Sequence, residues 1–139
     1  MIALLMMSLL GCGNKLPVHT ITVADQSLRV EVAHDPETRA RGLMFRDKLG
    51  ADAGMLFIYP DTKPRGFWMK DTRIPLSIAF ADASGKIVRI SEMKPFDTER
   101  TTSIYPAKYA LEMNKGWFDS KGISKGAMMT DLPTDLEVR

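Results

Sequence analysis

A chain of 139 residues, 45% apolar and 26% charged, has the size and composition of one soluble globular domain whose core needs no metal or disulfide staple. Nineteen basic side chains against seventeen acidic ones leave a net charge of +2. The two signs are interspersed, which excludes the electrostatic footprint of a nucleic-acid-binding protein.

The first twelve residues, MIALLMMSLLGC, carry no charged side chain and end in Leu9-Leu10-Gly11-Cys12, two apolar residues and a small one before a cysteine. This is the bacterial lipobox pattern. Residues 1–11 are expected to be a lipoprotein signal peptide cut before Cys12, whose thiol then carries lipid. The apolar run is too short to cross a bilayer as a helix, which takes roughly 20 residues. The expected membrane contact is therefore the lipid on Cys12, with residues 12–17 as a tether. Cys12 is the only cysteine, so lipidation leaves no free thiol to misoxidise in an oxidising compartment. Gly13 stands where an aspartate would retain a lipoprotein at the inner membrane, which points to the outer membrane, facing the periplasm.

A single domain is expected over 18–132, with a polar tail over 133–139. Val18 to Ala24 and Leu28 to Ala33 flank a turn, and Leu28, Val30 and Val32 alternate with Arg29 and Glu31, as in a hairpin with one wet face. Asp35 and Pro36 then supply an N-cap and a first helical residue, with Ala40, Leu43 and Met44 as the buried stripe of a helix kept short by Gly42. The segment GMLFIYP is apolar on both parities and predicts a strand covered on both faces, closed off by Pro60. Leu76, Ile78 and Phe80, a turn at Ser84-Gly85, and Val88 with Ile90 make a second hairpin. In AKYALEMNKGW, Ala107, Tyr109, Leu111 and Met113 alternate with Lys108, Ala110 and Glu112. A helical turn through WFDSKG and a last short strand in AMMTDL follow. These elements predict an α+β, mainly β fold: a compact, bent or barrel-like antiparallel sheet with one or two short helices.

The segments RGLMFR (41–46), GMLFIY (54–59), FWMKDT (67–72), IPLSIAF (74–80), GKIVRI (85–90), ALEMNKG (110–116) and GISKG (122–126) fall in the order and spacing of one family. From about Thr22 to Thr130 the chain resembles the bacterial and archaeal domain of unknown function 192 family. The resemblance implies a fold and candidate positions but no reaction, and it implies export or lipid anchoring, as its members commonly show. This chain departs from the family pattern at two positions. Asparagine is typical where Asp71 stands, and aspartate where Ser77 stands.

A strand period through FWMKDT puts Phe67, Met69 and Asp71 on one side and Trp68, Lys70 and Thr72 on the other. An indole beside an ammonium and a hydroxyl can wall a site for a small anionic or sugar-like ligand. Glu112, an acid within an apolar alternation, is expected to find a cationic or amide partner, since a buried carboxylate without one is costly. The expected ligand-binding set is thus Arg41, Trp68, Lys70, Asp71, Thr72 and Glu112. The alternative is a core and rim role for Trp68 and Lys70 and a structural ion pair for Glu112.

Enzyme signatures are sparse. His19 and His34 show no zinc-ligand spacing, no phosphate loop is present, and no serine sits in a nucleophile elbow. Seven of the ten methionines lie outside the leader, dispersed as gap-filling core residues rather than clustered for copper. No metal and no cofactor is expected. Asp71 and Glu112 are the one carboxylate pair available for glycan hydrolysis. Three readings result: an envelope lipoprotein that binds a small polar or anionic ligand or an envelope component; a hydrolase using that pair; and a structural or interaction lipoprotein without a small-molecule site.

Overall fold

The computed structural model describes residues 15–139, so Cys12 and the leader lie outside the described residues. The elements in chain order are β1 (Val18–Val23), β2 (Gln26–Ala33), α1 (Pro36–Arg41), β3 (Gly54–Lys63), β4 (Gly66–Phe67), β5 (Leu76–Ala81), β6 (Ile87–Met93), β7 (Thr101–Thr102), β8 (Ala107–Asn114), α2 (Trp117–Ser120) and β9 (Met129–Thr130). A seven-stranded sheet runs in the order β6-β5-β8-β3-β2-β1-β9, while β4 pairs with β7 apart from it. Within the sheet β2 and β3 are parallel, and the crossover joining them carries α1. Every other strand pairing is antiparallel. The β-dominated α+β architecture expected from sequence is the one the chain adopts.

The sheet curls into a half-barrel whose ends meet at one corner. Lys86 bridges Met128 there. The Ile87 amide donates to the Ala127 carbonyl at 2.8 Å, and the Gly126 amide donates to the Ile87 carbonyl at 2.8 Å. Gly85 makes this contact possible, since its φ is +87° and a Cβ would fall 2.2 Å from the Met129 carbonyl oxygen. Past Ile87 the two ends diverge.

Both faces of the sheet are covered, which explains why β3 is apolar on both parities. Leu56 and Ile58 join Val30, Val32, Leu111, Met113 and Phe118 on one face. Met55 and Phe57 join Leu43, Phe67, Ile78 and Phe80 on the other. The paired layers are the main source of stability, because each fully buried large side chain contributes about 1.5–3 kcal/mol.

Local details differ from the sequence expectation in four places. The α1 helix is capped by Asp35 as expected, but it stops at Arg41 and buries none of its residues. Gly42 is its C-cap at φ +49°, so Leu43 enters the core from a loop and not from a helical stripe. Pro60 does not end β3; it sits where the register with β8 shifts between Ile58 and Lys63, a place where a missing amide breaks no ladder bond. The β5–β6 hairpin has a register irregularity between Phe80 and Ala81. That irregularity sends Val88 to one core and Ile90 to the other. Finally, residues 133–139 fold back: the Arg139 amide donates to the His34 carbonyl at 3.0 Å, and Leu136 and Val138 pack on the core.

Candidate functional site

The β8 alternation directs Tyr109, Leu111 and Met113 to one core and Ala110 to the other. Ala107 joins Ala110, because the register slips at Lys63, its partner on β3. Glu112, on the parity of Ala110, stands between Met55 of β3 and Ile78 of β5 in the middle of the sheet. Its relative exposure is 4%.

Contrary to the sequence expectation, no described residue hydrogen-bonds to or ion-pairs with the Glu112 carboxyl. Arg46, at the end of the RGLMFR segment, binds Glu31 at 2.5 and 2.9 Å. Among the described residues every side-chain N or O sealed from solvent has a hydrogen-bond partner. The Glu112 oxygens are therefore not sealed among the described residues, and the residue lines a cleft of about 250 Å³. With no cation or donor to offset it, burial alone pushes the carboxyl up to about 8, so Glu112 is mostly protonated at neutral pH.

Arg39, Arg41 and Arg100 border the same cleft, together with Tyr59, Phe67, Trp68 and Thr72. Two of the arginines lie against aromatic rings: Arg39 is 4.7 Å from the Tyr59 ring centre and Arg100 is 4.7 Å from that of Trp68. Arg39 is further fixed by donating to the Ile58 carbonyl at 3.0 Å. The buried Arg65, which does not line the cleft, also lies against Tyr59, 3.8 Å from the ring centre, and binds the Asp61 carboxylate at 2.6 Å. Burial raises the Tyr59 phenol, with Arg65 and Arg39 pulling it the other way. The result is a small aromatic-walled cleft with guanidinium groups at the rim and a neutral acid at the base.

Of the sequence candidates, Arg41, Trp68, Thr72 and Glu112 meet at this cleft. Thr72 is buried and its hydroxyl donates to the Lys70 carbonyl at 3.0 Å, so it shapes the wall. Lys70 and Asp71 are not among the lining residues. The strand itself ends at Phe67, the expected alternation continues with Trp68 and Lys70 exposed and Met69 buried, and the turn at Lys70–Asp71 then breaks it so that Thr72 is buried. Lys70 is exposed, 5.4 Å from the Trp68 ring centre. Asp71 is a turn residue at φ +53° whose carbonyl accepts from the Phe45 amide at 2.9 Å. Aspartate and asparagine both tolerate that left-handed conformation, which accounts for their interchange at this position. Ser77, the other departure, accepts the Gly116 amide at 2.9 Å, a role any side-chain oxygen could fill.

Arg39, Tyr59 and Arg100 escaped the sequence reading. Tyr59 showed only as the end of an apolar run, and Arg100 lies far from Trp68 in sequence, in a polar stretch without periodicity. His19 and His34 contact the backbone of Asp131 and Glu137, at 3.1 and 2.7 Å, and tie down the C-terminal segment. Among the described residues no cluster of His, Cys, Asp or Glu has metal-binding geometry, and no helix is long and apolar enough to cross a membrane.

The family model described as DUF192, Uncharacterized ACR, matches residues 19–130. Two solved structures are similar over most of their length. One, from Sinorhizobium meliloti 1021, is described as a "putative transcription regulator"; it is 33% identical with a TM-score of 0.80, over 83% of this chain and 94% of that chain. The other is a protein of unknown function from Novosphingobium aromaticivorans DSM 12444, 31% identical with a TM-score of 0.79, over 82% of this chain and 85% of that chain. No curated protein matches.

Proposed function

The chain belongs to the domain of unknown function 192 family, and we propose that this member is a lipid-anchored envelope module that binds a small anionic ligand in the Arg41–Trp68–Glu112 cleft. The observation that carries the reading is Glu112, an acid buried in the sheet with no partner among the described residues, lining a cleft whose other charged groups are arginines. A protonated carboxyl can donate a hydrogen bond to an anionic oxygen that the guanidinium groups of Arg41 and Arg100 hold from the rim. Trp68 and Tyr59 give the ligand body an apolar surface.

Among the described residues Glu112 is the one acidic side chain that lines the cleft, so the carboxylate-pair hydrolase finds no second acid there. Regulation of transcription, the description attached to the Sinorhizobium structure, has no support in the charge of this chain, +2 with both signs interspersed.

A thermal-shift panel of phosphate, sulfate, simple carboxylates, acidic sugars and amino acids is expected to yield at least one stabilising anion. Arg41→Ala and Arg100→Ala should each weaken it about tenfold or more, and Glu112→Leu should weaken it comparably. Glu112→Gln, which keeps a neutral donor, should retain most of the affinity. Wild-type affinity should fall as pH rises through about 8, when the carboxyl becomes a like charge facing the anion. Affinity that instead rises with pH, or indifference to both arginine substitutions, would sink the reading.

The envelope location is supported by Leu9-Leu10-Gly11-Cys12 and by the absence of any other cysteine from the sequence. Mass spectrometry of the protein from its native membrane should find a chain that begins at lipid-modified Cys12. An unmodified Cys12 with residues 1–11 attached would refute it.

A further inference from the structure

A second, larger groove of about 550 Å³ opens where the half-barrel splits, on the far side of Ile87 from the Lys86–Met128 bridge. Its length is set by β6: Val88, Arg89, Ile90, Ser91 and Glu92 line it in succession. In the sheet β6 pairs only with β5. Among the described residues no backbone group of Val88–Met93 bonds to anything outside that pairing. An antiparallel strand turns half its amides and carbonyls away from its neighbour, so β6 presents an open row of donors and acceptors to the groove.

We propose that the groove receives an extended segment of another polypeptide, which adds to the β6 edge as a further strand. Main-chain complementarity argues for a peptide, because only another backbone matches alternating amides and carbonyls at strand spacing. Continuity argues for it as well. At the Ile87 end the chain's own Gly126–Met129 already occupies this position, pairing antiparallel before it diverges. The groove begins where that segment leaves.

The lips are built to flank one strand. On one side stand Ile104 and Tyr105, with exposures of 60% and 49%. Ile104 has a φ of +62°, an unfavourable conformation for a β-branched residue. Ser103 holds it there: its amide donates to the Arg65 carbonyl, and its hydroxyl donates to the Tyr105 carbonyl at 2.6 Å. Two apolar side chains are thus fixed outward at a cost in backbone strain. On the other side are Phe118, Ile123 and Lys125, the last 5.8 Å from the Tyr105 ring centre. Lys125 reaches across to Tyr105 from the opposite lip, so a single extended chain enters by displacing this one flexible side chain.

Of the four charged side chains that line the groove, Arg89 donates to the Thr102 carbonyl and Glu92 is 3.7 Å from Lys115. Recognition falls chiefly on the backbone and on an apolar side chain seated against Ile90, Phe118 and Ile123.

The test is selection of short random peptides displayed on phage against the immobilised full chain, with the best peptide synthesised and its binding followed by hydrogen exchange. Slowed exchange at Val88–Met93 is expected. Methylation of the peptide's backbone nitrogens at alternate residues should weaken binding about tenfold or more in one parity and hardly at all in the other. Arg41→Ala, which weakens the cleft, should leave the peptide's affinity unchanged, since Arg41 lines the cleft and not the groove. The proposal is overturned if no peptide is enriched, if both methylation parities act alike, or if protection maps to the Arg41–Trp68 cleft. It is also overturned if the chain alone is a dimer with β6 already protected, which would make a second copy the occupant.

Discussion

Glu112→Gln is expected to gain stability over the wild type as pH rises, by about 3 kcal/mol between pH 4 and pH 7. Burial raises the folded-state value to about 8 from the ordinary 4.5, so between those limits the folded protein binds a proton that the unfolded chain has released. Stability attached to this group is therefore intact below about 4.5 and falls as pH rises, levelling off above about 8. An amide of the same shape does not titrate, so the difference between the two proteins isolates the group. Asp35, Asp61 and Asp82 have depressed values and act in the opposite direction at acid pH, but they are common to both chains and cancel. Urea denaturation of both proteins at several pH values measures the effect. A difference that stays flat from pH 4 to 8 would mean that Glu112 is solvated or paired in solution.

Phe67→Ala is expected to cost about 3–5 kcal/mol, while Trp68→Ala, one residue on, costs about 1 kcal/mol or less. Phe67 is buried among aromatic rings, with centroids 5.0 Å from Phe57, 6.4 Å from Tyr59 and 5.7 Å from Phe80 in edge-on geometry. Removing it leaves a cavity that three stiff rings cannot collapse into. Trp68 is 36% exposed and stacks with Arg100 and Lys70, contacts that solvent largely replaces. Equilibrium denaturation of the two variants at pH 6 gives the comparison. Equal losses would place Trp68 in the core and remove it from the cleft wall.

Much of the fold was legible because its signals are local. The alternation of Leu28, Val30 and Val32, the Asp35-Pro36 helix start and the turn at Ser84-Gly85 each depend on neighbours within a few residues, and each appears where expected. What failed was continuation. Gly42 ends a helix that the spacing of Leu43 and Met44 would extend, and the irregularity opposite Phe80–Ala81 separates Val88 from Ile90. Irregularities of this kind leave little trace in hydrophobic period, because both sides of the sheet are apolar.

The candidate cleft was legible only in part. Trp68 and Glu112 stood out as an aromatic beside charge and as an acid within an apolar strand. Arg39, Tyr59 and Arg100 carry no such mark; they reach the cleft from α1, from β3 and from the connection between β6 and β7.

The sequence by itself determined the β-rich class, the family resemblance and the odd placement of Glu112, because period, turn chemistry and residue type are properties of short stretches. Tertiary structure alone decided that Asp71 serves a turn rather than the cleft and that, among the described residues, Glu112 has no partner and β6 pairs on one side only. Those outcomes depend on which distant segments the curling sheet brings together and which it leaves apart.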